Sequence, residues 1–324
     1  MSELHPNPEK EPSRSARREL AQRALGIERP RITQTIEVDG RSVEYYRSGD
    51  RRAHSIFFLH GSPGHCTAPL IRTFRLHLLG VEALSYSRPG YGRSDRHEGR
   101  RIVDEVARIE AIADQCGIET FSVVGRSGGG PSALATATLL PDRVKSVAVL
   151  AGPTAPRFLT AQTEQWSSGM SDENTRIHDY AARHPEKLRE EMIRLSEAVS
   201  HNPRFLIDFL RPQMHKNDID IVDSTLQTLL LQSYRNGISS ADHTGWLDDT
   251  IALHDDWGFE IRDIETPTLL WYAENDPFCP PKHGVYFKEH MPSAHFSIMP
   301  NSSHFDSFRD LEKVVAWVRD SAGS

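Results

Sequence analysis

With 324 residues, 38 Lys or Arg against 45 Asp or Glu and a formal net charge of −7, the chain is long enough to bury one large α/β domain, alone or carrying an insertion. No long basic run in the body calls for a polyanionic partner, so nucleic-acid binding is not expected. Its three cysteines, Cys66, Cys116 and Cys279, lie far apart without a C-x-x-C pair, which argues against a disulfide framework and a zinc site and suits a reducing compartment.

Residues 1–31 are a polar extension rich in Pro, Glu and Arg, expected to be a mobile tail with a short helix over "SARRELAQRALG". The extension has no apolar signal-peptide core, and no apolar run in the chain is long enough to span a bilayer. The protein is therefore expected in the cytoplasm, with no membrane partner. Next, "TQTIEVDGRSVEYYRSG" alternates apolar and polar residues on both sides of Asp39-Gly40, predicting a β-hairpin with a primed turn.

Short, nearly continuous apolar strands then alternate with helical segments. "SIFFLHG" at 55–61 predicts a strand, "CTAPLIRTFRLHLLG" a helix and "VEALSYSRPG" a second strand. A helix near 99–116, the strand "TFSVVG", a helix over 128–140 and the strand "VKSVAVLAG" at 144–152 follow. Towards the C-terminus come strands in "TPTLLWYAEND" at 266–276 and "AHFSIMP" at 294–300, a helix at 282–290 between them, and an amphipathic helix through "LEKVVAWVRD". Apolar strands separated by helices imply an α/β fold with a mostly parallel, doubly wound sheet covered on both faces. Between about 155 and 250 no comparable strand occurs, and "HPEKLREEMIRLSEAVS" and "IDIVDSTLQTLLLQSY" have helical character. The predicted organisation is a core over 32–154 and 251–324, with a helical cap over 155–250 lying across the C-terminal ends of the strands.

The stretch "FSVVGRSGGGPSA" places Gly125-Arg126-Ser127-Gly128-Gly129, a G-x-S-x-G pattern, between a buried strand and a helix start. That context predicts a sharp strand-to-helix turn holding Ser127 in a strained conformation above the sheet, at a helix N-terminus that favours developing negative charge. A phosphate-binding turn is disfavoured, because neither G-x-G-x-x-G nor a Lys-Ser/Thr pair is present. A serine nucleophile needs a general base, and the base needs an orienting carboxylate, expected in the chain order Ser, Asp or Glu, His.

His304 stands after the last strand, at the sheet edge where functional groups of open α/β sheets gather; His295 stands at the strand's start, on the wrong edge. Asp276 follows the preceding strand, with Glu274, Asp306, Asp248, Asp249, Asp255 and Asp256 as rival carboxylates. The oxyanion of a tetrahedral intermediate needs two backbone donors. The N–H groups of Gly128 and of Ser62, in "HGSPG", are the candidates, and Pro63 fixes the second turn. His60 is expected to brace that loop and His65 to lie at the surface.

Taken together, "HGSPG", "SRPGYGRSD", "GRSGG", "AENDPFCPP" and "NSSHF" resemble the α/β-hydrolase superfamily over about residues 33–320, the cap apart. Ser87 replaces the usual Asp of the second motif, and Ser303 the common Gly before the histidine. The resemblance implies Ser127 as nucleophile, Asp276 as acid, His304 as base, and Ser62 and Gly128 as oxyanion donors, with neither cofactor nor metal. It implies a serine hydrolase acting on an ester or lactone of a small to medium-sized substrate. The alternatives are a proline-iminopeptidase-like aminopeptidase or amidase, which would hold an amino terminus with cap acids such as Glu164, Asp172, Glu173 or Glu191, and a non-catalytic binding protein on a hydrolase scaffold. Trp166, Phe205, Phe209, Tyr234 and Trp246 are candidate pocket liners.

Overall fold

The computed structural model describes residues 32–67, 76, 78–156, 166–239 and 243–323. The N-terminal extension, most of the helix expected over 66–80 and Glu164 lie outside the described residues. The hairpin forms as the sequence requires: β1 (Gln34–Val38) and β2 (Arg41–Ser48) are antiparallel with Val38 opposite Arg41. Asp39 and Gly40 both take positive φ, 52° and 70°, the two-residue turn whose twist matches the strands.

Six further strands are β3 (His54–Leu59), β4 (Val81–Tyr86), β5 (Phe121–Arg126), β6 (Val144–Leu150), β7 (Thr268–Ala273) and β8 (His295–Met299). The sheet order is β1-β2-β4-β3-β5-β6-β7-β8, parallel from β4 to β8 and antiparallel at the β1–β2–β4 edge. Side chains alternate across it. Phe57, Leu59, Val123, Val147 and Val149 enter one apolar layer, with α1 (Val106–Gln115), α2 (Gly130–Leu139) and α9 (Lys282–His290) on that side. Ile56, Phe58, Val124, Ala148 and Leu150 enter the other, against Val314, Val315 and Val318 of α10 (Leu311–Ser321). Burial on both faces explains why these strands read as continuous apolar runs. Each phenylalanine enclosed in this way contributes about 1.5–3 kcal/mol.

Helix α2 lies close to the sheet because its contact residues are small: Gly130, Ala133, Ala135 and Ala137 are buried. Between β6 and β7 the described elements are helical: α3 (Asp172–Arg183), α4 (Pro185–His201), α5 (Arg204–Leu210), α6 (Lys216–Ile221), α7 (Gln227–Gly237) and α8 (Gly245–His254). A π-type turn at Val222–Leu226 joins α6 to α7. These helices share an apolar cluster of Val199, Leu206, Ile207, Val222, Leu226 and Tyr234, which Phe305 enters from the loop after β8. Among the described residues no helix is long and apolar enough to cross a membrane.

Candidate active site

The chain leaves β5 at Arg126 and turns at Ser127, whose φ is +51°, an uncommon conformation for a residue with a side chain. The turn Ser127–Gly129 then runs into α2. Its glycines are required by space. A Cβ on Gly125 would stand 2.3 Å from the Gly129 carbonyl oxygen, and one on Gly129 would stand 2.6 Å from that of Leu59. Ser127 and Gly128 consequently line a cavity at the C-terminal edge of the sheet.

Ser62, in the turn after β3, packs against Gly128: a Cβ there would lie 3.4 Å from the Ser62 nitrogen. A buried charge network fixes this turn. Ser62 Oγ donates to Asp249 Oδ2 (2.5 Å) and accepts from Arg88 Nη2 (2.9 Å). Arg88 also donates to the carbonyls of His60 (2.5 Å) and Gly61 (3.2 Å). Asp249 receives both Arg88 and Arg100, together with the Tyr91 hydroxyl. Burial alone would raise the Asp249 carboxyl, but the two guanidinium groups and their hydrogen bonds hold it well below the usual carboxylate range. His60 braces the same loop, contacting the Gly61 carbonyl through Nδ1 (2.8 Å) and accepting from the Arg88 amide at Nε2 (3.3 Å).

Asp276 follows β7 and His304 follows β8. The Asp276 carboxylate accepts from the amides of Phe278 and Cys279 on Oδ1 (2.8 Å each) and from His304 Nδ1 on Oδ2 (2.7 Å). Because the carboxylate can only accept, Nδ1 carries the proton and Nε2 is left with a lone pair. Both side chains are almost completely enclosed. The rival groups are engaged elsewhere. Glu274 accepts from the Asn301 amide, Asp306 from the Ser303 amide and Arg309, and Asp248 from Arg96. Asp255 and Asp256 are exposed, and His295 stands exposed at the start of β8.

Ser303, which departs from the family's usual glycine, has a structural reason. Its Oγ donates to Asp218 Oδ2 (2.5 Å), while Asp218 Oδ1 accepts from the Phe305 amide (2.8 Å). One acid from α6 thus grips the chain on both sides of His304.

The cavity has a volume of about 190 Å³. Ser62, Ser127, Gly128 and His304 form one wall; α3, α5, α7 and α8 contribute Ile177, Phe209, Leu230, Tyr234, Trp246 and Leu253 to the other. Of the aromatic residues expected there, Phe209, Tyr234 and Trp246 line it. Phe205 stacks behind Phe209, and Trp166 is buried beneath His178, His254 and His283. Glu173 and Glu191 are ion-paired with Arg176. His65, expected at the surface, is instead buried between Glu44 and Thr67, because the glycine turn folds it inward onto β2. Glu44, His65 and Cys66 lie close enough to share an ion, but Glu44 already accepts from Arg93, Thr33 and His65. Nothing there requires a metal.

Sequence reasoning left four groups without their part in the site. Asp218 gave no local signal and Asp249 figured only as a rival for the acid, since the partners of both lie far along the chain. His178 is the third. His254 Nδ1 must donate to the Thr250 carbonyl, so its Nε2 accepts from His178 Nδ1, leaving His178 Nε2 as a lone pair on the cavity wall. Burial keeps both rings neutral, His254 down to about 4 and His178 well below its ordinary value. Arg126 is the fourth, and its place beside Ser127 in G-x-S-x-G was signal enough to single it out.

A family model described as alpha/beta hydrolase fold matches residues 55–311. The chain is 24% identical over 279 residues to "Uncharacterized hydrolase YcgS" of Bacillus subtilis, covering 85% of this chain and 92% of that protein. It is 24% identical over 288 residues to a 2-hydroxy-6-oxononadienedioate/2-hydroxy-6-oxononatrienedioate hydrolase of Pseudomonas putida, covering 85% and 90%. Among solved structures it resembles the enol-lactonase from Burkholderia xenovorans LB400 (TM-score 0.63, 18% identity, 90% of this chain and 100% of that one). It resembles an esterase from Exiguobacterium antarcticum to the same extent (TM-score 0.63, 19% identity, 90% and 100%).

Proposed function

Because the chain belongs to the alpha/beta hydrolase fold family, we propose that it is a serine hydrolase cleaving an ester or lactone of modest size through an acyl-enzyme at Ser127. The observation that carries the reading is Ser127 at φ +51° on the cavity wall that His304 shares, with His304 bonded to Asp276. In this mechanism Ser127 Oγ attacks the acyl carbon as its proton passes to His304 Nε2. The amides of Gly128 and Ser62 stabilise the oxyanion, and Asp276 holds the ring in its tautomer. The tetrahedral intermediate collapses as His304 gives the proton to the leaving oxygen. Water, deprotonated by the same ring, then releases the acid. The helices between β6 and β7 act as the cap that encloses the acyl group, and their apolar lining favours esters over charged peptide termini. The engagement of Glu173 and Glu191 by Arg176 leaves the aminopeptidase alternative without free acids at those two positions.

A second reading, hydrolysis of a carbon–carbon bond, draws on the relatives named as 2-hydroxy-6-oxononadienedioate hydrolases. The same serine, base and oxyanion donors serve it.

The test is turnover of p-nitrophenyl esters from acetate to decanoate, with fluorophosphonate labelling, by the wild type and Ser127→Ala. We expect wild-type turnover and labelling, with turnover reduced at least about 10³-fold and labelling lost in the variant. Labelling without ester turnover would favour the carbon–carbon reading. Neither turnover nor labelling would refute the serine hydrolase and leave a binding protein on this scaffold.

A further inference from the structure

Arg126 is the single Lys or Arg among the described residues that line the cavity, and none of the described carboxylates pairs with it. A guanidinium has five N–H donors. Arg126 gives one from Nε to Ser307 Oγ (3.0 Å) and one from Nη2 to the His304 carbonyl (3.3 Å), and no acceptor among the described residues takes the others. Its neighbouring acids are already engaged: Asp276 by His304 and two amides, Asp218 by Ser303 and Phe305. By contrast, Arg88 and Arg100, beneath the oxyanion loop, are both ion-paired.

The surroundings make this charge a strong ligand. The guanidinium carbon lies 4.9 and 4.3 Å from the ring centres of Phe305 and Phe308, which support a cation while excluding water. A half-buried guanidinium gains more from an incoming anion than one in bulk solvent. Burial, offset in part by Tyr234, Asp276 and Asp218, pushes the group down to about 10, so it stays cationic at neutral pH. Its position is equally specific. Arg126 Nη1 and Ser127 Cβ lie 3.4 and 3.2 Å from one point beside Gly61, so the unbonded end of the guanidinium lies on the same side of the Gly61 turn as the Ser127 side chain. Glu173, the acid on the cavity lining, is neutralised by Arg176.

We infer that the substrate carries a carboxylate and that Arg126 binds it, so that the acyl compound enters with its anionic end beside Ser127 and its apolar part against the helices. This deepens the serine-hydrolase reading and rests on it for the chemistry, but not for the anion site itself. A purely structural Arg126, bracing the His304 loop through Ser307 and the His304 carbonyl, is the rival account.

The test compares kcat/KM for mono-p-nitrophenyl succinate, glutarate and adipate with that for p-nitrophenyl butyrate, pentanoate and hexanoate. It uses the wild type, Arg126→Gln and Arg126→Lys. We expect the wild type to prefer at least one anionic ester over its neutral counterpart. Arg126→Gln should cut that preference about 10–100-fold, chiefly through KM, and Arg126→Lys should retain part of it. An equal fall on anionic and neutral esters would overturn the inference and establish the brace. In parallel, glutarate should raise the Tm of Ser127→Ala but not of Ser127→Ala combined with Arg126→Gln. An Arg126-dependent shift in a protein that hydrolyses none of the esters would keep the anion site and sink the hydrolase reading. Ester turnover with neither anionic preference nor a Tm shift would do the reverse.

Discussion

Asp218 illustrates how one side chain can set a site it does not touch. It is buried, and burial raises its carboxyl above the ordinary value despite the bonds it accepts. Those bonds hold Ser303 and the Phe305 amide, the residues flanking His304, so removing the acid strands the Phe305 amide and leaves the Ser303 hydroxyl only the Asn275 carbonyl. Asp218→Ala is expected to cost about 1–3 kcal/mol, chiefly from the Phe305 amide losing its buried acceptor, and to lower kcat on a p-nitrophenyl ester at least about tenfold while KM changes little. Thermal unfolding and steady-state kinetics check the two parts separately. An unchanged kcat would show that His304 is positioned without Asp218. In sequence Asp218 was one acid among many in a helical stretch. Ser303 was the visible trace of it, a departure from the usual glycine whose cause lies 85 residues away in chain separation.

At the scale of the element, the strand–turn–helix at β5 and α2 depends on contacts too close for side chains. Gly125→Ala would drive a Cβ to 2.3 Å from the Gly129 carbonyl oxygen and 2.8 Å from Ala133 Cβ, both on elements held by the core. Overpacking of a rigid contact costs about 1–3 kcal/mol or more, and here relief would require α2 to lift from the sheet. The variant is expected to lose at least about 3 kcal/mol of stability by denaturant titration and to lose fluorophosphonate labelling even where it folds. Labelling at the wild-type rate would mean that the turn tolerates a methyl group. This element was legible in the sequence because its rules are local: a β-branched run, glycines at fixed offsets, then small residues. The same holds for the Asp39-Gly40 hairpin and for the order of the strands. The sheet partners were not legible, nor was the inward turn of His65, because each depends on which distant backbone lies alongside.

For the whole molecule, pH acts through histidines enclosed where the helices meet the core. His283, on α9, is fully enclosed against Trp166, with Nδ1 accepting from the Thr154 amide and its Nε2 without a partner among the described residues. Burial, with Lys282 adding to it, pushes the ring down to about 3. Its folded value lies below its unfolded one, so between about pH 6.5 and 3 the unfolded chain binds a proton that the folded chain refuses. Stability therefore falls as pH drops through that window, by about 1.4 kcal/mol per pH unit from this group, and is independent of it above pH 6.5. Thermal unfolding between pH 7.5 and 4.5 should show a Tm that declines below pH 6.5, and His283→Gln should flatten the decline. An identical slope in that variant would remove His283 from the account.

The sequence by itself determined the class of fold and the order of its strands along the chain, and it singled out Ser127, Asp276 and His304 as candidates, because strand periodicity and glycine punctuation are properties of neighbouring residues. Only the tertiary structure decided that Asp249 holds Ser62, that Asp218 grips the His304 loop, and that Arg126 faces the cavity with no counter-ion among the described residues. Charge pairing and burial are set by what folding brings together from distant parts of the chain, and no local pattern encodes them.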